Sequence, residues 1–203
     1  MDIIQLTGFI SAYFLGAIPI NNILTKQKNK KDRAIRTLYT HGKKLALLVL
    51  LGNIIKGLVS IIILAKIIFS YSSEIELQYV QIFCGFFTII GSVFTAFNQF
   101  NGSKGIAVYL GIILGLYPTA FLFCSFTFIF TIIRTKYASI SAIFTACSLP
   151  FYLFIIVPLL KLNLPPFSLV IIGIIMPWFI VFNYRKSLQR ISKKEEYKFK
   201  FKQ

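Results

Sequence analysis

Acidic side chains are scarce in this chain: six Asp and Glu among 203 residues, against 22 Lys and Arg. There is one histidine, His41, and there are three cysteines, Cys84, Cys124 and Cys147. No acid stands with His or Cys at ligand spacing, so no metal centre is implied. No cofactor motif appears either. The cysteines all lie in apolar runs, which reads as core thiols and not as a disulfide framework. A cleavable signal peptide is not expected: Asp2 occupies the place of a positive n-region, and no small-residue cleavage site follows the first apolar run. Internal repeats and a separate soluble domain are also missing. A transporter built on repeats would show paired, similarly broken helices, and only one run here is clearly broken.

What is abundant is apolar sequence. Apolar residues make up 57% of the chain and charged ones 14%, with a mean hydropathy of +0.77. A soluble domain of this size cannot hide so much apolar surface, so the chain reads as an integral membrane protein. Its spans are the uncharged runs. Ile3–Thr25, Leu77–Phe97, Gly105–Ile133, Tyr137–Leu160 and Leu162–Tyr184 carry no charge, and Leu45–Tyr71 carries only Lys56 and Lys66. Crossing a core of about 30 Å takes roughly 20 apolar residues. Five of the runs suit one crossing each. Gly105–Ile133 is too long for one upright helix, and Pro118 interrupts it near the middle.

Loop charge sets the sides. Lys26–Lys44 holds eight Lys/Arg and one acid, and Arg185–Gln203 holds eight Lys/Arg and two acids. The loop Ser70–Leu77 holds Glu74 and Glu76 and no base. The positive-inside rule then predicts both basic segments in the cytoplasm and the N-terminus outside. An odd number of crossings follows, so Gly105–Ile133 is expected to break at Tyr117-Pro118. The predicted fold is an all-α, polytopic membrane helix bundle of about seven transmembrane helices, or five plus a re-entrant hairpin. Residues 1–184 form the membrane-embedded part and 185–203 a basic cytoplasmic tail. The net charge of +16 suits an anionic inner leaflet, where each base near the surface is worth about 1 kcal/mol. Nucleic acid is not the expected partner: the basic stretches lack interleaved aromatics except Tyr197, Phe199 and Phe201.

Chemistry concentrates between two uncharged runs, in Gly91-Ser92-Val93-Phe94-Thr95-Ala96-Phe97-Asn98-Gln99-Phe100-Asn101-Gly102-Ser103-Lys104-Gly105. Glycines let backbone N–H groups approach a ligand, and a lysine adds three donors and a positive charge. At the mouth of a helix, that combination suits a phosphate. The bland reading is an interface loop anchored by Lys104. A second candidate is Lys56, roughly 18 Å past Lys44 along a helix and so near mid-bilayer. An ionisable group there is costly and functional by default; Asn53 precedes it by one turn and Gly57 follows. Lys66, near the outer end, reads as snorkelling. His41 sits in the basic loop beside Gly42 and reads as a solvated side chain.

These residues resemble the bacterial PlsY-type glycerol-3-phosphate acyltransferases along nearly the whole chain. Ala12-Tyr13-Phe14-Leu15-Gly16-Ala17-Ile18-Pro19 is similar to that family's A-Y-L-L-G-S-I-P, and Lys26 falls where it has a lysine. Arg36-Thr37-Leu38 followed by Gly42-Lys43-Lys44 resembles R-T-L-G-K-K. Asn53-Ile54-Ile55-Lys56-Gly57 resembles D-x-x-K-G. The lysine turn resembles G-H-x-F-P-x-F-x-x-F-x-G-G-K-G-x-A, matching at Gly91, Phe94, Phe97, Phe100, Gly102, Lys104, Gly105 and Ala107. Thr135-Lys136-Tyr137-Ala138-Ser139 is similar to T-R-Y-V-S, and Arg185, Arg190 and Glu196 fit H-R-x-N-I-x-R-L-L-x-G-x-E. Departures accompany the matches. The family's S-G-N-x-G-A-T-N loop has no counterpart, Gln27–Ile35 being short and lysine-rich instead. The family's histidine after the first glycine is Ser92 here, its proline Thr95, its second turn glycine Ser103 and its aspartate Asn53. The C-terminal histidine and asparagine are Tyr184 and Ser187.

The resemblance implies an enzyme of phospholipid biosynthesis in the bacterial cell membrane. It would move an acyl chain from acyl phosphate to the 1-hydroxyl of glycerol 3-phosphate, with no cofactor and no metal. By the same resemblance, Lys104, Gly102 and Gly105 cradle a phosphate, and Arg36 and Lys56, with Asn53, add to that pocket. Arg185 and Arg190 bind or steer the anionic substrate. Ser92 stands where the family keeps its histidine, in place to position the hydroxyl. Aligning two reactants supplies roughly 7–11 kcal/mol, and general-base help about 10²–10⁴-fold, so losing the histidine implies a slower enzyme and losing the loop a greater deficit. The alternative is a catalytically silent relative that binds anionic lipid or a partner protein.

Overall fold

The computed structural model of the chain describes residues 3–25, 42–71, 76–100 and 102–193. All regular structure among them is helical, as apolar sequence in lipid requires: with no water to satisfy the backbone, a helix closes its own hydrogen bonds. In chain order the helices are α1 (Ile3–Ala17), α2 (Ile20–Thr25), α3 (Lys43–Val59), a π-helical turn (Ser60–Leu64), α4 (Ala65–Ser70), α5 (Leu77–Val93), a 3-10 turn (Ala96–Asn98), α6 (Ile106–Leu116), α7 (Pro118–Thr135), α8 (Ala138–Phe151), a π-helical turn (Tyr152–Ile156), α9 (Val157–Leu159) and α10 (Phe167–Ser192). Among the described residues, six helical stretches are long and apolar enough to cross a membrane, some of them interrupted: Gln5–Thr25, Lys44–Ser70, Leu77–Asn98, Pro118–Thr135, Ala138–Leu159 and Phe167–Ser192.

The expected break falls at Tyr117, between α6 and α7. The two pieces are unequal. α6 has 11 residues and spans about 16 Å, half a bilayer core, while the 18 residues of α7 span about 27 Å. The run Ile3–Thr25, expected as one uninterrupted crossing, is broken at Ile18-Pro19 between α1 and α2. Pro19 has no N–H to give the preceding turn, and the Ile20 N–H donates to the Ile18 carbonyl instead (3.0 Å). The position 184/185, expected to divide membrane part from tail, falls inside α10.

The chain forms two compact units, Met1–Leu116 and Tyr117–Gln203. In the first, glycines set the helix spacing. α1 and α5 run antiparallel in close contact: a Cβ at Gly16 would lie 2.1 Å from the Thr88 carbonyl oxygen, and one at Gly91 2.1 Å from that of Tyr13. α3 and α6 run parallel in the same manner, with Gly57 against the Val108 carbonyl oxygen (2.2 Å) and Gly111 against that of Ile54 (2.0 Å). Small residues do this work in membranes because lipid offers no hydrophobic drive for helices to associate. Beside the α1–α5 contact, Phe9, Ala12, Ala65, Ile68, Val80 and Cys84 form an apolar core. Hydroxyls lace it together: Ser60 Oγ and Thr88 Oγ1 lie 2.6 Å apart, and Thr88 Oγ1 also reaches the Ala12 carbonyl at 3.2 Å.

In the second unit, α8 packs against both α7 and α10. Ala142, Ala146, Leu149, Leu169, Ile172 and Met176 are buried there. Tyr117 Oη donates to the Asn163 carbonyl (2.6 Å), and Tyr152 stacks obliquely on Phe123 (centroids 5.0 Å).

The spacing argument is testable on α6. Gly111→Ala places a methyl on rigid backbone and is expected to cost about 1–3 kcal/mol. Gly115→Ala would meet only the side chains of Ile61 and Leu58, at 3.3 Å or more, and is expected to be neutral or stabilising by up to about 1 kcal/mol, the helix propensity gained. Thermal unfolding of the two variants in detergent checks the contrast.

Candidate functional site

The lysine turn joins α5 to α6, and its shape follows from the carbonyls that α5 leaves over. A helix ends with four carbonyls that its own N–H groups cannot reach. The Phe94 N–H donates to the Ile90 carbonyl (2.7 Å). Thr95 Oγ1 serves the carbonyls of Gly91 (3.2 Å) and Ser92 (3.3 Å). The chain then loops out and returns: the Gly102 N–H donates to the Val93 carbonyl (3.0 Å) and the Ser103 N–H to that of Ser92 (2.8 Å). Tyr13 Oη, from α1, donates to the Phe94 carbonyl (2.7 Å). Every carbonyl from Ile90 to Phe94 is thus an acceptor. Thr95, where the family resemblance has a proline, takes up two of them with its side chain.

The return approach explains the first turn glycine. A Cβ at Gly102 would lie 2.1 Å from the Ser92 carbonyl oxygen and 2.5 Å from Thr95 Oγ1. The Gly102 N–H points into the helix end, so this glycine acts by close packing and not by offering an N–H to a ligand. Gly105 has φ +83°, where glycine carries no steric penalty. Its N–H meets Ser103 Oγ (3.3 Å), its carbonyl accepts the Tyr109 N–H (2.9 Å), and α6 starts at the next residue. Lys104 therefore stands, half-buried, immediately before the N-terminus of an uncharged helix. The first-turn N–H groups of a helix carry partial positive charge, so lysine and helix end reinforce each other as an anion site. Ser92 is 1% exposed; its hydroxyl donates to the Ile89 carbonyl of its own helix (2.8 Å).

Lys56 takes another post. It is 5% exposed, and its ammonium donates to the carbonyls of Gly16 (3.1 Å) and Ile18 (2.8 Å). These are the carbonyls that the Ile18-Pro19 break leaves without their helical donors, so Lys56 caps the end of α1 with a cation, the favourable sign at a helix C-terminus. Asn53, one turn earlier and 3% exposed, donates through Nδ2 to the Val49 carbonyl of its own helix (2.8 Å); its Oδ1 is buried with no hydrogen-bond partner among the described residues. Gly57 rests against Val108 and Ile112, which places Lys56 level with the first two turns of α6. Lys66 is exposed.

The remaining candidates lie elsewhere. Arg185 and Arg190 belong to the second unit. Arg185 is exposed, its guanidinium 4.2 Å from the centroid of the Phe182 ring. Arg190 is half-buried and donates through Nη2 to Ser187 Oγ (3.1 Å). Arg36, Lys26, His41 and the stretch Gln27–Ile35 lie outside the described residues, as does Glu196. The structure thus brings Ser92, Gly102, Lys104 and Gly105 into one turn, and seats Lys56 and Asn53 beside the α1 break of the same unit. Two contributors were not singled out from the sequence as site residues: Tyr13 and Thr95, whose partners are carbonyls and leave no trace in a residue pattern.

The role of Lys56 is separable from that of Lys104 by stability. Lys56→Met strands the buried Gly16 carbonyl and leaves that of Ile18 with the Ile20 N–H alone; it is expected to cost about 1–3 kcal/mol, read as a lower melting temperature in detergent. Lys104→Met, at a half-buried turn position, is expected to leave that temperature close to wild type.

Comparison with known proteins agrees in extent and fold. The sequence model of one family, described as glycerol-3-phosphate acyltransferase, matches residues 6–194. Among curated relatives, the glycerol-3-phosphate acyltransferase of Geotalea daltonii is 28% identical over 205 residues, covering 97% of this chain and 98% of the relative. That of Syntrophomonas wolfei is 30% identical over 199 residues, covering 93% and 94%, and that of Bartonella quintana 30% over 192, covering 90% and 86%. Two crystal structures of PlsY (YgiH), an integral membrane glycerol 3-phosphate acyltransferase, share the fold. The lysophosphatidic acid form gives a TM-score of 0.79 at 24% identity, over 97% of this chain and 95% of that one. The glycerol 3-phosphate form gives 0.78 at 23%, over 97% and 96%.

Proposed function

This chain belongs to the glycerol-3-phosphate acyltransferase family, and from that premise we propose that it transfers an acyl chain from acyl phosphate to the 1-hydroxyl of glycerol 3-phosphate, yielding lysophosphatidic acid and inorganic phosphate. It is a multi-pass protein of the bacterial cell membrane, as its six membrane-length helices and bacterial relatives indicate. The observation that carries the reading is the lysine turn. Its backbone folds back on the end of α5 through the Gly102 and Ser103 N–H groups, and this sets Lys104 beside the start of α6, a pairing of cation and helix N-terminus that suits an anion.

Acyl phosphate is a mixed anhydride with a good leaving group. The glycerol hydroxyl oxygen bonds to the acyl carbon, the C–O bond to phosphate breaks, and phosphate departs with the bonding pair. The hydroxyl proton goes to the departing phosphate, because Ser92 is a poor base and its hydroxyl is already committed to the Ile89 carbonyl. In this reading Lys104 neutralises phosphate charge as it develops, a contribution of the kind that costs about 10²–10³ in rate when one donor is removed. Gly102 and Gly105 shape the turn, and Ser92 supports it through the carbonyl that holds Ser103. Arg36, Arg185 and Arg190 attract the doubly charged substrates at the inner face, beside an anionic leaflet. Lys56 and Asn53 serve the scaffold.

One observation favours the silent relative: the residue in the family's histidine position is buried and hydrogen-bonded into its own helix. One assay discriminates. Purified protein with palmitoyl phosphate is expected to release phosphate in a manner dependent on glycerol 3-phosphate, and Lys104→Ala is expected to lower kcat/KM by about 100-fold or more. Retained binding of palmitoyl phosphate with no release would establish the silent relative instead.

A further inference from the structure

We propose that Tyr13 is a positioning residue for Lys104, acting through the Phe94 carbonyl, with Phe14 as its apolar partner. Nothing in the chemistry of the reaction calls for this tyrosine, and its hydroxyl is engaged as a donor. Its importance lies in where that donor goes.

Phe94 is the residue at which α5 gives way to the turn, with φ −104° and ψ 64°. From there the chain follows a course that its own residues disfavour: Gln99 and Phe100 both adopt left-handed backbone conformations (φ 50° and 57°). A bulky residue such as phenylalanine seldom does so, and such conformations persist only where the surroundings over-determine them. The return side of the turn is held by the Gly102 and Ser103 N–H groups. The departing side is held from outside, by α1. Tyr13 Oη reaches the Phe94 carbonyl across 81 residues of sequence. The next residue, Phe14, lays its ring 6.0 Å from that of Phe97 in the 3-10 turn, and the Tyr13 and Phe14 rings meet edge-on at 5.7 Å.

The reach of the tyrosine is itself fixed. The close contact of Gly91 with the Tyr13 carbonyl oxygen brings the two backbones together about one turn before Phe94. Extended along α5, the tyrosine ring covers that turn and delivers its hydroxyl to the first carbonyl past the helix. A phenylalanine would fill the same space and leave the carbonyl without this donor. Tyr13 and Phe14 therefore clamp the departure of the turn as the two N–H groups clamp its return, and Lys104 lies just past the second clamp.

The effect on turnover rests on the acyltransferase reading, whereas the effect on the turn does not, and one variant tests them separately. Tyr13→Phe is expected to lower kcat/KM roughly three- to tenfold, the factor associated with one neutral hydrogen bond, with the change falling on KM for the phosphate substrates. Its melting temperature is expected to stay within about 2 °C of wild type. Backbone amide exchange over residues 94–105 is expected to quicken by a similar factor while residues 110–116 exchange unchanged. An inactive wild-type protein would sink the acyltransferase reading and leave the exchange measurement to decide the clamp. Unchanged exchange over 94–105 would overturn the proposal. So would faster exchange throughout with a lower melting temperature, which marks a merely structural contact.

Discussion

A helix ends in carbonyls that its own N–H groups cannot reach, and one left buried and unpaired costs about 1–3 kcal/mol. The first unit of this protein is organised around two such ends. At α5 the solution is a returning loop: Thr95, Gly102, Ser103 and Tyr13 supply the donors for the carbonyls from Gly91 to Phe94. At α1, where Pro19 withholds its N–H, the solution is a lysine from the neighbouring helix. The turn that presents Lys104 is a by-product of the first solution. Its geometry is dictated by the helix end it closes, and glycine at 102 is the residue that permits the approach.

The cations of the chain consequently divide by task. Lys56 is almost wholly buried, and a charge in that position is tolerated because strong carbonyl acceptors surround its ammonium and the helix end supplies the matching sign. Lys104 is half-buried just before a helix N-terminus, where a cation is unfavourable to the helix itself. Arg185 is exposed over a phenylalanine ring, a geometry worth about 0.5–1 kcal/mol at an accessible site. Lys56 is seated on the carbonyls at the end of α1, while Lys104 lies in the turn that leads into α6.

Much of the architecture was legible beforehand because lipid makes composition nearly deterministic. Uncharged runs became helices, Tyr117-Pro118 marked a real boundary, and Gly102, Lys104 and Gly105 emerged as one local unit because they are neighbours in sequence. The interruption at Ile18-Pro19 was passed over, since proline near the end of an apolar run looks the same whether the helix stops or resumes. That only one of the two pieces is short was hidden too: hydropathy records that Gly105–Leu116 is apolar but not how deep it goes. The departures from the family motif were visible as substitutions, yet not how they are absorbed, such as Thr95 taking two carbonyls where a proline would take none.

What the sequence determined by itself was class, helix content, family and the lysine turn as one local unit. All of these depend on composition and on residues adjacent along the chain. What only the tertiary structure decided was which donors meet which carbonyls: Lys56 with Gly16 and Ile18, Tyr13 with Phe94, Gly102 with Val93. Lysine and tyrosine side chains donate equally well to any carbonyl within reach, so their partners are selected by helix spacing, and that spacing is set by glycine contacts of about 2 Å to a virtual Cβ between segments far apart in sequence.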